Sequence, residues 1–529
     1  MVPTRINKAN RPIRPLLHRE IGLETEYGVS VRLPADQCEP PSRREVFHAV
    51  CKSLASDVPT AKARHNAFQV FLATGGAISL ESSFHQLDDA GGLIEGSTPE
   101  CRSPRNLLAC QRVQDRLFSD AVTRCPLPVS IRLLKNSRDA NGHVYGCQEN
   151  YSADVARGFG LLMFRVCLIA LIPFSLLYAA VCWSLMLLVG GVLVVGCFFK
   201  REAADSECSG RIDNFIPNWC LSAALSIMQW SLYPLGIALG RSVMASRSSV
   251  NVNGDIVFNF QNSLVGGGRP RWQRQIPCFR QSFGYRLLDL RRWLKSRSTD
   301  LRFRTLVAIL GHEASFSPRI YLQLFQRKQR LQIGLSDSNV ADNAEYLKVA
   351  ATSLVLDMIE AGHTSGLPRI KKPIQALHQL SADWTLISRV ATDLGPMTGL
   401  EIQRAYLNRC SLFVRSRTDE VPAEVWQILE LWEQMLDAAQ AIRDTPVDYH
   451  SALAKIDWAS KKWLMDQMGC GASLISQKKV DLKYHELSEE GYFCRLSEVI
   501  ACQQIARIEE INAAMRIPRP IHRPHDVAI

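Results

Sequence analysis

The chain of 529 residues lacks the usual signatures of nucleotide and metal chemistry. It has no GxxxxGK(S/T) loop and no GxGxxG turn, which excludes the P-loop and dinucleotide-fold routes to phosphate binding. Its sixteen cysteines include no CxxC pair and no Cys/His run at zinc-ligand spacing. Cysteines so scattered in a chain this long argue against a disulfide framework and for a reducing cytoplasm. Cys167, Cys182 and Cys197 sit in apolar runs, where cysteine behaves as a small hydrophobe. No internal repeat is visible, so solenoids and propellers are set aside. The opening text, MVPTRINKANRPIRPLLHRE, has no apolar h-region, and no cleavable signal peptide is expected.

Negative charge is the scarcer sign: 51 acidic residues stand against 62 basic ones, a net charge of +11. The excess is local. Arg269–Arg304 carries Arg269, Arg271, Arg274, Arg280, Arg286, Arg291, Arg292, Lys295, Arg297, Arg302 and Arg304 against Asp289 and Asp300. One stretch lacks charge almost entirely: Gly158–Phe199 contains Arg165 alone. A membrane-spanning helix needs about 20 apolar residues. The run therefore predicts a transmembrane helical hairpin breaking near Pro173–Ser184, with Lys200 and Arg201 as its positive flank. A span over Leu176–Phe198 with a return over Phe215–Leu239 is the alternative. Either keeps the chain before and after on one side. The expected location is the inner (cytoplasmic) membrane, with the catalytic part in the cytoplasm. Beside such a segment, the basic tract fits anionic membrane lipids, and no nucleic acid is expected.

The remainder reads as α/β. A basic tail (1–17) precedes an α/β part (18–157), then the transmembrane insertion (158–223), a continuation of the core (224–262) and the basic insertion (263–329). A second core part with a helical region (330–515) and a disordered tail (516–529) follow. Strand patterning appears at 21–33, 69–81, 128–134 and 331–335, and helical patterning at 43–54, 106–122, 341–362 and 423–443. Asn141-Gly142 marks a hairpin turn.

Within IGLETEYGVSVR, apolar residues alternate with Gly22, Glu24, Glu26, Gly28 and Ser30. A period of two puts Glu24 and Glu26 on one face, roughly 6.5–7 Å apart. That face is either the wet side of an antiparallel sheet or a cleft for a divalent cation. Glu81 in ISLESS, Glu95, Thr98 and Glu100 in LIEGSTPEC, and Glu149 in YGCQENY supply further acidic or hydroxyl groups. Carboxylates converging on a sheet suit Mg²⁺, which bridges such oxygens to nucleotide phosphates.

IGLETEYGV, LIEGSTPEC, LLKNSRDANGHVYGCQENY and RLQIGLSDSNVADNAEYLKVAATSLVLDMIEAG, in this order, resemble motifs of the Pup ligase and Pup deamidase family. This is the proteasome accessory factor A group of the glutamine-synthetase-like carboxylate–amine ligases. The resemblance implies an α/β (α+β) fold: a glutamine-synthetase-like open antiparallel sheet cradle with packed helices, here with an inserted transmembrane hairpin and a helical C-terminal part. It implies ATP and Mg²⁺ as cofactors, and a small Pup-like protein modifier and protein substrates as partners. The implied activity joins the modifier's C-terminal glutamate to a substrate lysine through an acyl phosphate. Alternatives are a deamidase-like amidohydrolase and a catalytically degenerate membrane-tethered scaffold. By the resemblance, Glu24 and Glu95 bind magnesium, Thr98 and Arg330 contact nucleotide, and Glu81 is the catalytic carboxylate; Glu26 and Glu149 are the further metal candidates among the acidic residues of the sheet. The chain also departs from the family. Where the family has the arginine, tyrosine and aspartate of ARLYLD stand Ala77, Ser79 and Glu81, and HENY begins with Gln148. The family's TRDEPHAD loop has no counterpart before Arg330.

Overall fold

A computed structural model describes residues 15–34, 39–64, 66–81, 93–137, 145–154, 158–166, some positions between 168 and 187, 322, 325–333, 337–445, 449–469 and 473–501. The Asn141-Gly142 turn, the 224–262 segment, the Arg269–Arg304 tract and the terminal tails lie outside these residues, as does most of the Gly158–Phe199 run. Among the described residues no helix is long and apolar enough to cross a membrane.

The sheet is built on β1 (Ile21–Arg32). β2 (Thr60–Lys62), β3 (Gln69–Leu72), β4 (Ala77–Glu81) and β5 (Leu93–Ser97) follow in order towards one edge of it. On its other edge, β7 (Cys147–Asp154) pairs with its first half and β6 (Ser130–Leu134) with its second half. β8 (Lys328–Ile333) pairs antiparallel with β7. All these pairings are antiparallel, as the cradle expectation requires. The single strand expected over 69–81 is instead a hairpin. Gly75 adopts φ +88°, a turn conformation that glycine tolerates without a Cβ clash.

Helices cover one face. α1 (Arg43–Asp57) opens with a capping box from Ser42 and Glu45. α2 (Pro104–Thr123) starts from a Ser103 cap with proline in its first turn. α3 (Asp342–Glu360) ends within the helical patterning read over 341–362. Gly362 takes φ +81°, and the amides of Gly362 and His363 return to the carbonyls of Ile359 and Met358, a Schellman closure. Nearly all of α3 is buried, because β1 and β7 lie on one side of it and α5 (Gly399–Arg415) and α6 (Ala423–Asp444) on the other. Between α3 and α5 lie α4 (Pro373–Ser381) and the hairpin of β9 (Arg389–Thr392) and β10 (Gly395–Thr398). α7 (Asp457–Asp466), α8 (Leu474–Tyr484) and α9 (Tyr492–Ala501) form a further cluster around Trp463 and Tyr484. The chain after α8 clasps β6: Lys135 N–H donates to the His485 carbonyl and Leu487 N–H to that of Leu133, each at 2.9 Å.

Odd-numbered β1 residues point at the helices. Leu23 joins the α3 core and Tyr27 and Val29 join the α1–α2 core. The fully buried Tyr27 hydroxyl donates to Asp115 at 2.7 Å and accepts from Gln111 and Gln114, both on α2. Asp115 also receives Lys135 Nζ and Arg112 Nη1, each at 3.0 Å. Burial opposes the Asp115 charge, but the Lys135 and Arg112 cations outweigh it and hold the carboxyl below its usual range.

Removing one partner of a buried ion pair leaves an uncompensated charge. Asp115→Ala is expected to lower stability by about 3–5 kcal/mol, read as a drop in the denaturant midpoint. A second expectation concerns acid. Burial, with Lys461 nearby, pushes the His485 imidazole from 6.5 down to about 3. Between those values the unfolded chain binds the proton and the folded chain does not. This stability is complete above pH 6.5 and is lost as pH falls towards 3, so thermal melts should drop steadily below pH 6.5. His485→Gln should flatten that decline.

Candidate functional site

The even-numbered face of β1 carries no helix layer among the described residues, and the register decides what shares it. Directly paired residues in an antiparallel sheet point the same way. Glu26 is paired with Glu95 of β5, and Glu95 with Ser79 of β4. In the adjacent row, Glu24 is paired with Ser97 and Gln148, and Ser97 with Ala77. Asn150 of β7 and Arg330 of β8 extend this face to the sheet edge. Three carboxylates thus share one face, two of them directly opposite across strands. Such a like-charge pair is destabilising unless a cation or hydrogen-bond donors offset it.

Each predicted residue has a definite place. Arg330 Nη2 lies 2.5 Å from Glu24 Oε1, and its Nε donates to Asn150 Oδ1 at 2.7 Å. The guanidinium is well exposed, so this pair adds little to stability and is free to exchange. Glu26 is held more firmly. Its Oε2 accepts the Gly146 amide at 2.6 Å, and its own amide donates to the Gly146 carbonyl at 3.0 Å. A Cβ on Gly146 would stand 3.0 Å from Glu26 Oε1, so this glycine permits the close approach. The Thr98 hydroxyl accepts the Leu23 amide at 2.9 Å, and the Thr98 amide returns to the Leu23 carbonyl. Thr98 therefore fastens the end of β5 to β1 beside the carboxylates. Glu81 closes β4, paired with Leu93, two residues along the strand from Ser79.

Glu149 corrects the sequence grouping. It is paired with Leu23, an inward residue, so it lies on the opposite face from Glu24. It is 1 % exposed and accepts a short hydrogen bond from the Tyr151 hydroxyl. Glu149 thus belongs to the helix-packed side, near Lys348. Lys348 Nζ contacts Glu345 at 3.0 Å, the Asp337 carbonyl at 3.2 Å and Cys147 Sγ at 3.3 Å. The Asp337–Asn339 run, within the last of the family-like blocks, also has a structural place. Asp337 accepts from Ser137, and the Asn339 amide donates to Glu345.

Sequence reasoning passed over Gly146, Asp115, Lys135, Glu345 and Lys348. The available signal was weak: Glu345 and Lys348, three apart, look like a solvated helical pair.

Among the described residues no three His, Cys, Asp or Glu side chains stand close enough to cage a metal. Magnesium seldom needs such a cage: one or two carboxylates suffice when phosphates and waters complete the shell. Glu24, Glu26 and Glu95 are donors of the kind that arrangement uses.

Fold and site together define an α/β protein with an open, carboxylate-lined sheet cradle backed by helices. The chain belongs to the Pup-ligase protein family, whose sequence model matches residues 19–182 and 322–524. It is similar to the Pup–protein ligase of Corynebacterium jeikeium, 25% identical over 517 residues covering 96% of this chain and 86% of that protein. The Pup–protein ligase of Pseudarthrobacter chlorophenolicus is 36% identical over 198 residues, 36% of this chain and 42% of that protein. Among solved structures, the ligase PafA in its crystallised complex with the prokaryotic ubiquitin-like protein Pup matches with a TM-score of 0.53. That match is 19% identical and covers 96% of this chain and 80% of that one, a likeness of fold.

A methyl group on Gly146 should push the Glu26 carboxylate off its amide. Gly146→Ala is expected to weaken Mg-ATP binding about tenfold, the scale of a lost charge-assisted hydrogen bond, with melting little changed. Calorimetric titration beside a thermal melt checks both halves.

Proposed function

We propose that this chain is an ATP- and Mg²⁺-dependent ligase that joins the C-terminal glutamate of a small Pup-like modifier to a lysine on protein substrates. The observation that carries the reading is the Glu26–Glu95 cross-strand pair beside Glu24 on the bare sheet face, in a member of this family. Opposed carboxylates there fit a site that receives cations with a nucleotide. In this reading Glu24, Glu26 and Glu95 hold magnesium, which neutralises phosphate charge when bound. Arg330 exchanges Glu24 for a nucleotide phosphate. Thr98, tied to Leu23, keeps the end of β5 in register beside the nucleotide.

The chemistry then has two steps. The γ-phosphoryl group passes to the modifier's carboxylate, giving an acyl phosphate and ADP. The substrate amine attacks the acyl carbon, phosphate leaves, and Glu81 takes the amine proton. A positioned base of this kind contributes about 10²–10⁴-fold.

A second reading has its own observation. Ala77 and Ser79 face Ser97 and Glu95 directly, where the family places an arginine and a tyrosine. A cradle missing both groups fits a protein that binds nucleotide or modifier without turnover.

The test is ATP consumption and conjugate formation by the full chain, with and without a small protein ending in Glu. Conjugates and ADP are expected, and Glu81→Gln should cut conjugation by about 10²–10⁴-fold while Mg-ATP still binds. Binding without turnover supports the second reading. Ammonia released from a modifier ending in Gln would turn the assignment to a deamidase. Absence of Mg-ATP binding by folded protein overturns the ligase.

A further inference from the structure

Residues 159–166 and 168–170 are helical, and this helix is apolar on two sides. Phe164 and Leu168 are buried against Leu161 and Phe325, just before β8. Phe159, Leu162, Met163, Val166 and Ile169 are 43–75 % exposed. At 100° per residue these five fall within an arc of roughly 120° opposite the buried side. Arg165, the one charge here, falls at the boundary between the two sides. Its Nε donates to the Phe325 carbonyl at 3.0 Å, which draws it away from the exposed face. A contiguous exposed apolar face of this kind calls for an occupant.

Two observations name that occupant. The first is where the chain leaves and rejoins the sheet. Asp154, the last residue of β7, is paired with Lys328, the first of β8, and accepts from Arg327 at 2.7 Å. The segment between them departs and returns at one place, so both its ends lie on the same side of whatever it meets. The second is chemical. In sequence the face begins a run, Gly158–Phe199, with no charge beyond Arg165. Protein–protein interfaces have a polar rim around an apolar centre; this run has none along its length. Hydrocarbon is the medium that needs no rim. The exposed Arg327 and Lys328 follow closely on Phe325, which packs against the helix, and suit anionic headgroups.

We propose that the exposed face of this helix seats the protein on a lipid bilayer and holds the β7–β8 end of the sheet at the membrane surface. Arg330 lies two residues, roughly 7 Å, along β8 from Lys328. The carboxylate face therefore opens close to the headgroups. The inference is independent of the ligase reading.

The test uses the full chain, purified in detergent and reconstituted with phosphatidylcholine vesicles, with and without phosphatidylglycerol. The protein is expected to float with the vesicles, more completely when phosphatidylglycerol is present. A photo-crosslinking phenylalanine analogue at Phe159 is expected to form adducts with lipid. The double variant Phe159→Glu, Val166→Glu should reduce flotation about tenfold or more, since both side chains leave hydrocarbon for water. A thermal melt of that variant, unchanged from the parent chain, shows that it folds. Adducts to a second copy or to the chain itself in place of lipid overturn the proposal. Undiminished flotation of the double variant overturns it too. Loss of ATP binding in the parent chain would sink the ligase and leave this result standing.

Discussion

Helices close one face of the sheet, and one buried carboxylate holds the closure. Asp115 on α2 joins Tyr27 of β1, Lys135 just after β6, and Arg112 on its own helix. Arg112 in turn reaches the Val340 carbonyl at 3.0 Å and Asp342 at 2.6 Å, at the start of α3. Taking these charges out of water is costly, and a buried pair is weak evidence for net stability. Its contribution is specificity. Removing Lys135 takes one of two cations from Asp115, and removing Asp115 takes the carboxylate from the fully buried Lys135, so the assembly of β1, α2 and β6 is coupled.

That constraint reaches the candidate site through the period of the strand. Tyr27 and Glu26 are neighbours on opposite faces of β1. A one-residue slip would carry Tyr27 out to the bare face and Glu26 into the core. Binding Tyr27 to Asp115 therefore fixes where the carboxylates point. Close packing adds a second restraint at β5. A Cβ on Gly96 would stand 2.3 Å from Gln114 Nε2 and 2.6 Å from Phe118, so α2 lies directly on this strand. With Gly96 inward, Glu95 and Ser97 are committed to the bare face.

Much of this was legible in the residues because it is local. The alternation in IGLETEYGVSVR located β1 and the common face of Glu24 and Glu26, and Gly362 marked the end of α3. The order of the family blocks pointed to the cradle. Glu149 was misplaced because CQENYSAD carries polar residues at both parities, and composition alone does not say which parity faces inward. Only its pairing with Leu23 decides. Likewise Val70, Leu72, Ile78 and Leu80 read as one strand, whereas the Gly75 turn folds them into two strands of one core. The buried charges were invisible for a different reason. Glu345, Lys348 and Lys135 carry the chemistry of surface residues, and only tertiary partners make their burial tolerable.

The insertion between β7 and β8 replaces what would otherwise be a hairpin turn, yet the two strands keep a continuous register from Glu149–Ile333 to Asp154–Lys328. Loop-closure entropy grows slowly, by about 0.6 kcal/mol for each doubling of length, so a long excursion costs the pairing little. The position of the excursion matters more than its length. The carboxylates Glu24, Glu26 and Glu95 sit on β1 and β5, strands paired on both sides. Arg330 alone of the site residues sits on β8, at the sheet edge and two residues from the insertion's exit. The site thus divides into a fixed anionic part, locked from behind by Asp115 and Gly96, and a cationic part on β8, which among the described strands pairs on one side. In the reading proposed above, docking of the insertion would act first on the Arg330 guanidinium that reaches Glu24.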